Sequence, residues 1–359
     1  MLDKLLAAGP SLSRGVVRFI GTVYAMLYLI VYVKASTFLP DFIFRDAEKI
    51  QAQMVGADTY SGTSFDAVAK FYALFGPSLL NVFVTGVGVC FIWMMMRRAN
   101  RIGLVVAALL LSVPCVFFNL FVASKDTLVV VTSLVLARFA NDAHPRRAII
   151  AGLALYGGYA ALVRSYFMLI VVIAVGVFVL QRMTLRWKMV AVVTVVVLVA
   201  LLPGPVYVAL LHPRDMAVEY LVYQSPYGAR TSFYNPVDPS TFIGFAADYA
   251  YAIGRLNFAA LTSPGIKEFA MQIFVALAVW PALRRLGGRS KAPYASSHDV
   301  LAGLIIGHVC VSMLFEPDLG SYTRHLSSVA LFSMTLLADR LCAAGHARRR
   351  SATGAARGT

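Results

Sequence analysis

Of the 359 residues, 59% are hydrophobic and 14% charged, and the mean hydropathy is +0.74. Soluble domains run nearer ~45–50% apolar and ~25% charged, so an ordinary cytosolic or secreted globular protein is excluded. The formal charge of +15 does not point to nucleic acid, which needs basic residues gathered on one soluble face; here they stand in short clusters between apolar runs.

In chain order, apolar stretches occupy residues 16–33, 74–96, 102–118, 127–140, 148–163, 166–181, 189–210, 269–283, 300–315 and 326–341. A bilayer core of about 30 Å takes roughly 20 apolar residues per helix. The reading is therefore an all-α polytopic transmembrane bundle of about ten spans. Several stretches fall short of that length, notably 127–140, and must extend into flanking polar residues or enter the membrane partway. The stretch Val16 to Val33 exceeds a signal-peptide apolar core and is read as an uncleaved first span.

With a cytoplasmic N-terminus, alternate loops carry Lys4, Arg14, Arg18; Arg97, Arg98, Arg101; Arg138, Arg146, Arg147; Arg182, Arg186, Lys188; Arg284, Arg285, Arg289, Lys291; and Arg340 with Arg348 to Arg350 and Arg357. These are about two thirds of the 32 Lys and Arg, accompanied only by the acids Asp3, Asp142, Asp299 and Asp339. The positive-inside rule then places both termini in the cytoplasm. Residues 1–342 form one transmembrane domain, and 343–359 a basic disordered tail. Phe242 to Leu261 is apolar but carries Asp248 and Arg255, costly at mid-bilayer, and is read as an interfacial amphipathic helix.

Two outer loops are large, 34–70 and 212–267. The short basic inner loops leave no room for a folded cytoplasmic domain, and no GxxxxGK[ST] phosphate loop occurs. In the first loop, Asp46 and Glu48 stand two apart beside Arg45 and Lys49: a solvated turn, or a general base or metal-holding pair. Thr63 with Asp66 is placed to cap a short helix leading to the second span. The second loop opens after Pro203-Gly204-Pro205, which should break the Val-rich helix. It holds ten aromatics, Tyr227 and Tyr249 among them, suited to an interface or to stacking on sugars. Asn235-Pro236 and Asp238-Pro239 mark turns.

Ionisable groups near membrane depth suggest a functional site. On the outer side these are Ser124-Lys125-Asp126, Arg164, Arg255, and the group Glu316, Asp318, Arg324 and His325. Arg164 has only Ser165 beside it between two apolar runs. A guanidinium donates two parallel hydrogen bonds to phosphate, so Lys125, Arg164 and Arg324, brought together, would form a cationic pocket for a lipid-linked diphosphate. Asp46, Glu48, Asp126, Glu316 or His325 could deprotonate an attacking sugar hydroxyl. Cys90, Cys115, Cys310 and Cys342 lie in apolar runs with no CxxC pair, and the histidines show no HExxH spacing; neither a disulfide framework nor a metal site is expected.

The Ser124-Lys125-Asp126 turn opening a short apolar span, Arg164-Ser165-Tyr166 between two spans and Tyr322-Thr323-Arg324-His325 opening the last resemble the bacterial Wzy-type O-antigen and exopolysaccharide polymerases. The resemblance implies polymerisation of undecaprenyl diphosphate-linked repeat units on the periplasmic side of the inner membrane, without a cofactor. By position, Arg164, Arg324 and Arg230 or Arg255 would hold the diphosphate. A chain-length regulator, a flippase and membrane lipids are the implied partners. The spaced Arg and Gly motifs of that family's best-known loops have no copy here. The runner-up is a C-type membrane glycosyltransferase using a polyprenyl-phosphate sugar, for which Asp46-Ala47-Glu48 stands in the corresponding loop and Mg or Mn would serve as cofactor. A transporter or flippase would place charges deep in several spans; an acyltransferase would use His325.

Overall fold

A computed structural model of the chain describes residues 6–140, 145–225, 230–287 and 296–339. The expected tail at 343–359 and Tyr227 lie outside these. Among the described residues the protein is all helical, with no strand and one isolated bridge between Ser11 and Arg101. By contacts the chain divides into two compact units, Met1–Ala143 with Ser328–Thr359, and His144–Ser327.

The first unit contains α1 (Arg14–Val33), α2 (Arg45–Met54), α3 (Ser64–Ala73), α4 (Gly76–Met96), α5 (Ile102–Asn119) and α6 (Lys125–Phe139). The apolar helix Ala330–Asp339 belongs to it as well. Side-chain oxygens satisfy the orphan backbone N–H groups at several helix starts. Ser13 Oγ accepts from Val16 N at α1, and Thr63 Oγ1 from Phe65 N at α3. At α6, Ser124 Oγ accepts from Thr127 N (3.1 Å) while Thr127 Oγ1 accepts from Ser124 N (3.1 Å), a reciprocal capping box. Tyr28, fully buried in α1, donates to the Leu120 carbonyl at 2.7 Å, tying α1 to the end of α5.

The second unit contains α7 (Pro145–Leu162), α8 (Phe167–Leu180), α9 (Leu185–Ala200), α10 (Gly204–Tyr223), α11 (Phe242–Asn257), α12 (Ile266–Gly287), α13 (Ser297–Phe315) and α14 (Leu319–Ser327). Its centre is α13, which touches α7, α8, α10, α11, α12 and α14. The approach of α8 is closest because α13 carries glycines there. A methyl group at Gly307 would stand 2.7 Å from the Ile170 carbonyl oxygen, and one at Gly303 2.9 Å from that of Ala174. Pro203 and Pro205 do interrupt the Val-rich helix: α9 and α10 meet at 92°, and Tyr207 donates to the Val199 carbonyl at 2.6 Å across the bend.

Five helices are long and apolar enough to cross a membrane: Arg14–Val33, Ser78–Met96, Ile102–Asn119, Ile266–Gly287 and Ser297–Phe315. Taking the bent α9–α10 pair as one span makes six, consistent with a membrane protein. Over its described residues, each apolar stretch read from the sequence is mostly helical. Yet α6 has 15 residues and α8 has 14, about 21–23 Å at 1.5 Å per residue, short of a hydrocarbon core about 30 Å thick. The second large loop also begins later than expected. Pro213 is accommodated within α10, so helix continues to Tyr223 where 212 was read as the loop start.

Candidate functional site

The second unit buries a continuous chain of titratable side chains at the junction of α13 and α14. Tyr156 of α7 and His308 of α13 are fully buried, with Tyr156 Oη 2.8 Å from His308 Nε2. His308 Nδ1 lies 3.2 Å from Nε2 of His325 on α14. His325 Nδ1 lies 3.0 Å from Glu316 Oε1 and 3.2 Å from Ser312 Oγ. With both imidazoles neutral, one proton arrangement satisfies the whole row: Tyr156 O–H donates to His308, His308 Nδ1–H to His325, and His325 Nδ1–H to Glu316. Glu316 is the more open end, its side chain 14% exposed against 4% for His325.

Aromatic rings wall this row. Phe167 lies 5.5 Å from His308 and 6.0 Å from His325 between ring centroids, and Tyr166 stands 6.0 Å from His325 and 5.1 Å from Phe315. The Arg164 guanidinium lies 5.7 Å from the Tyr166 ring. Arg164 and Tyr166 occupy the tight α7–α8 turn, where Phe167 N donates to the Arg164 carbonyl (3.0 Å). Arg324, half-buried, is one residue before His325 on α14. Thus Arg164, Glu316 and His325, all read from the sequence, are linked through Tyr166, and Arg324 adjoins them in the chain. Asp318 caps α14 there, accepting from Ser321 N at 2.8 Å. Burial pushes its carboxyl above the usual range, opposed by the Ser321 N–H and assisted by the negative Glu316 nearby.

A second polar cluster lies in the same unit. Arg214 of α10 is fully buried and donates to the Met313 carbonyl (3.1 Å) and to Asn235 Oδ1. Asn235 in turn donates to Asp215 (2.8 and 3.0 Å). Asp248, also fully buried, accepts from Val237 N at 3.2 Å. Desolvation raises its pKa, while the Val237 N–H and Arg214 pull it down. This is how the expected helix at Phe242 to Leu261, observed as α11, accommodates its aspartate.

The remaining sequence-predicted residues separate. Arg255 lies 5.9 Å from the buried Phe233 ring, which also receives Arg214 at 5.1 Å. That ring therefore faces guanidiniums instead of an open sugar site. Tyr249 donates to the Cys310 carbonyl at 3.0 Å and stacks beside Phe245. Arg230 pairs with Glu268 (3.6 Å). Lys125 and Asp126 are buried at the start of α6 in the first unit, with Lys125 Nζ 3.4 Å from the Phe65 ring centroid. Lys125 belongs to the first unit, Arg164 and Arg324 to the second. Asp46 and Glu48 sit in the first turn of α2, where a solvated turn was one expectation. Two residues apart on a helix they point about 200° from each other, so they do not form a shared pair. No group of three or more His, Cys, Asp or Glu suited to a metal ion occurs among the described residues.

Sequence reading missed Tyr156, His308, Ser312 and the Arg214–Asn235–Asp215 cluster. His308 in the middle of an apolar run was the available signal, since an ionisable group within a span is a functional candidate; its partners lie too far along the chain for any spacing rule. In comparisons with family models, curated proteins and solved structures, no match was found. The resemblance to Wzy-type polymerases rests on the residues quoted above.

Proposed function

We propose that the chain is a multi-pass protein of a bacterial inner membrane that polymerises polyprenyl diphosphate-linked oligosaccharide repeats at the outer face. In this reading ten helical segments enter or cross the bilayer, and both termini lie inside. The observation that carries it is the Glu316–His325 hydrogen bond, backed by His308 and Tyr156, with Arg164 joined to it through Tyr166 and Arg324 next to His325 in the chain. Glu316 takes the proton of the acceptor hydroxyl as its oxygen attacks the anomeric carbon. The bond from that carbon to the diphosphate oxygen breaks, and Arg164 and Arg324 stabilise the charge on the departing lipid diphosphate. His325 holds the carboxylate in position by donating its Nδ1–H to it.

Purified protein supplied with a diphosphate-linked oligosaccharide and no added monosaccharide donor should extend it into a ladder. Glu316→Gln and Arg164→Ala should each lower the rate by roughly 10²–10⁴, the range for a general base or a charge-stabilising group. A wild-type ladder from Glu316→Gln sinks the assignment. Extension that requires a monophosphate-linked sugar supports the C-type glycosyltransferase instead. The buried His308 also favours a second reading, a proton-linked flippase of lipid-linked glycans, because such rows serve as proton relays in transporters. Liposomes would separate the two: a flippase moves protons with substrate and makes no new glycosidic bond.

A further inference from the structure

The first unit contains a cavity remote in kind from the buried row. It has a volume of about 560 Å³ and is lined by Leu12, Arg14, Val17 and Arg18 on one side and Trp93, Met96, Arg97 and Asn100 on the other. Positions 14, 17 and 18 share one face of α1, while Trp93 and Met96 stand at the end of α4 and Arg97 and Asn100 just beyond it. Toward the middle of the helices the cleft narrows, because a methyl at Gly21 would already stand 3.3 Å from Met96 Cβ. At the open end, Leu12 N donates to the Asn100 carbonyl (2.9 Å), and Arg101 reaches the Ala7 carbonyl (3.1 Å). The segment before α1 is therefore fastened to the segment after α4, and the cavity walls are built.

Three guanidiniums converge here and no carboxylate lines the cavity. Arg14 and Arg18 are one turn apart on α1, a like-charge spacing that disfavours the helix by a few tenths of a kcal/mol when left uncompensated. Structural ion pairing does not explain their placement, because neither they nor Arg97 make a salt bridge to any described acid. The volume lies within the range of ligand sites, about 300–1,000 Å³. Val17, Trp93 and Met96 give the cavity apolar walls beside the three guanidiniums, a combination suited to a charged headgroup with the start of its apolar tail. Arg is the side chain best matched to phosphate oxygens.

We propose that this cavity binds a phosphate-bearing anion, with the headgroup of an anionic phospholipid as its resident. Basic clefts between membrane helices commonly hold such headgroups. The test uses the full chain in detergent, titrated separately with phosphatidylglycerol, phosphatidylcholine and inorganic phosphate, with binding read by native mass spectrometry and thermal stability in parallel. Phosphatidylglycerol should be retained in preference to phosphatidylcholine, and Arg14→Ala/Arg18→Ala/Arg97→Ala should weaken it on the order of a hundredfold, from about a fivefold step per arginine at a membrane surface. Arg97→Gln alone, on an exposed side chain, should weaken it about fivefold and serves if the triple variant does not fold. Stabilisation by phosphate equal to that by phosphatidylglycerol, lost in the same variants, supports the anion site and overturns the lipid as its resident. Equal retention of both lipids with no phosphate effect, or unchanged binding in the variants, overturns the site.

Discussion

Helices α9 and α13 are both apolar enough to attract attention as membrane segments, yet they have opposite fates. α13 buries two thirds of its most apolar window, and its Gly303 and Gly307 let the α8 backbone come close. α9 has no buried residue at all, and a run of valines, Val190 to Val197, lies largely exposed along it. In lipid, apolar surface alone gives helices no reason to associate, because the tails are as apolar as the side chains. Small residues that admit close packing and polar residues that need partners decide which helix goes inside. α13 has both, with His308 and Ser312 on the same helix as its glycines.

The contrast can be broken most sharply at Gly307. Replacing it with Leu drives a side chain into the Ile170 carbonyl, and folded protein should be lost in size-exclusion chromatography of the detergent extract; Gly307→Ala should cost about 1–3 kcal/mol. A tolerated Leu would mean that α8 and α13 do not pack as described. Next in size is Tyr156→Phe, which leaves His308 Nε2 without its buried donor and should destabilise by about 1–3 kcal/mol, read from thermal denaturation. An unchanged midpoint would show that the row is hydrated.

A smaller effect tests the raised Asp318. Its folded carboxyl holds the proton to higher pH than an unfolded one, so the folded state binds more protons. Stability should therefore fall as pH rises from about 3.9 through the raised value. Asp318→Asn keeps an acceptor for Ser321 and should flatten that slope; a slope that persists assigns it to another group. The least effect belongs to α9: Val193→Ala should stay within about 0.5 kcal/mol, and a loss comparable to Gly307→Ala would show that α9 is covered by protein.

Much of the local structure was legible. Thr63 and Ser124 cap helices because a hydroxyl just before an apolar run satisfies the first orphan N–H groups. Pro203 and Pro205 mark the bend because neither can continue the preceding hydrogen-bond ladder. The basic clusters and the Arg164 turn were equally visible. The polar row was not: 152 residues separate Tyr156 from His308, and no local pattern encodes which two helices face each other. Nor did Tyr249 announce its neighbours, since an aromatic ring reads the same in the sequence whether or not it packs beside Phe245.

What the amino-acid order settles unaided is helical content, where chain direction breaks and which segments suit hydrocarbon, because these depend on backbone hydrogen bonding and transfer of side chains over a few turns. Only the tertiary structure decided that His308 and His325 join Glu316, that Arg214 lies buried against Asn235, and that α9 stays outside while α13 takes the centre. Those outcomes depend on packing and partner satisfaction among residues far apart in the chain.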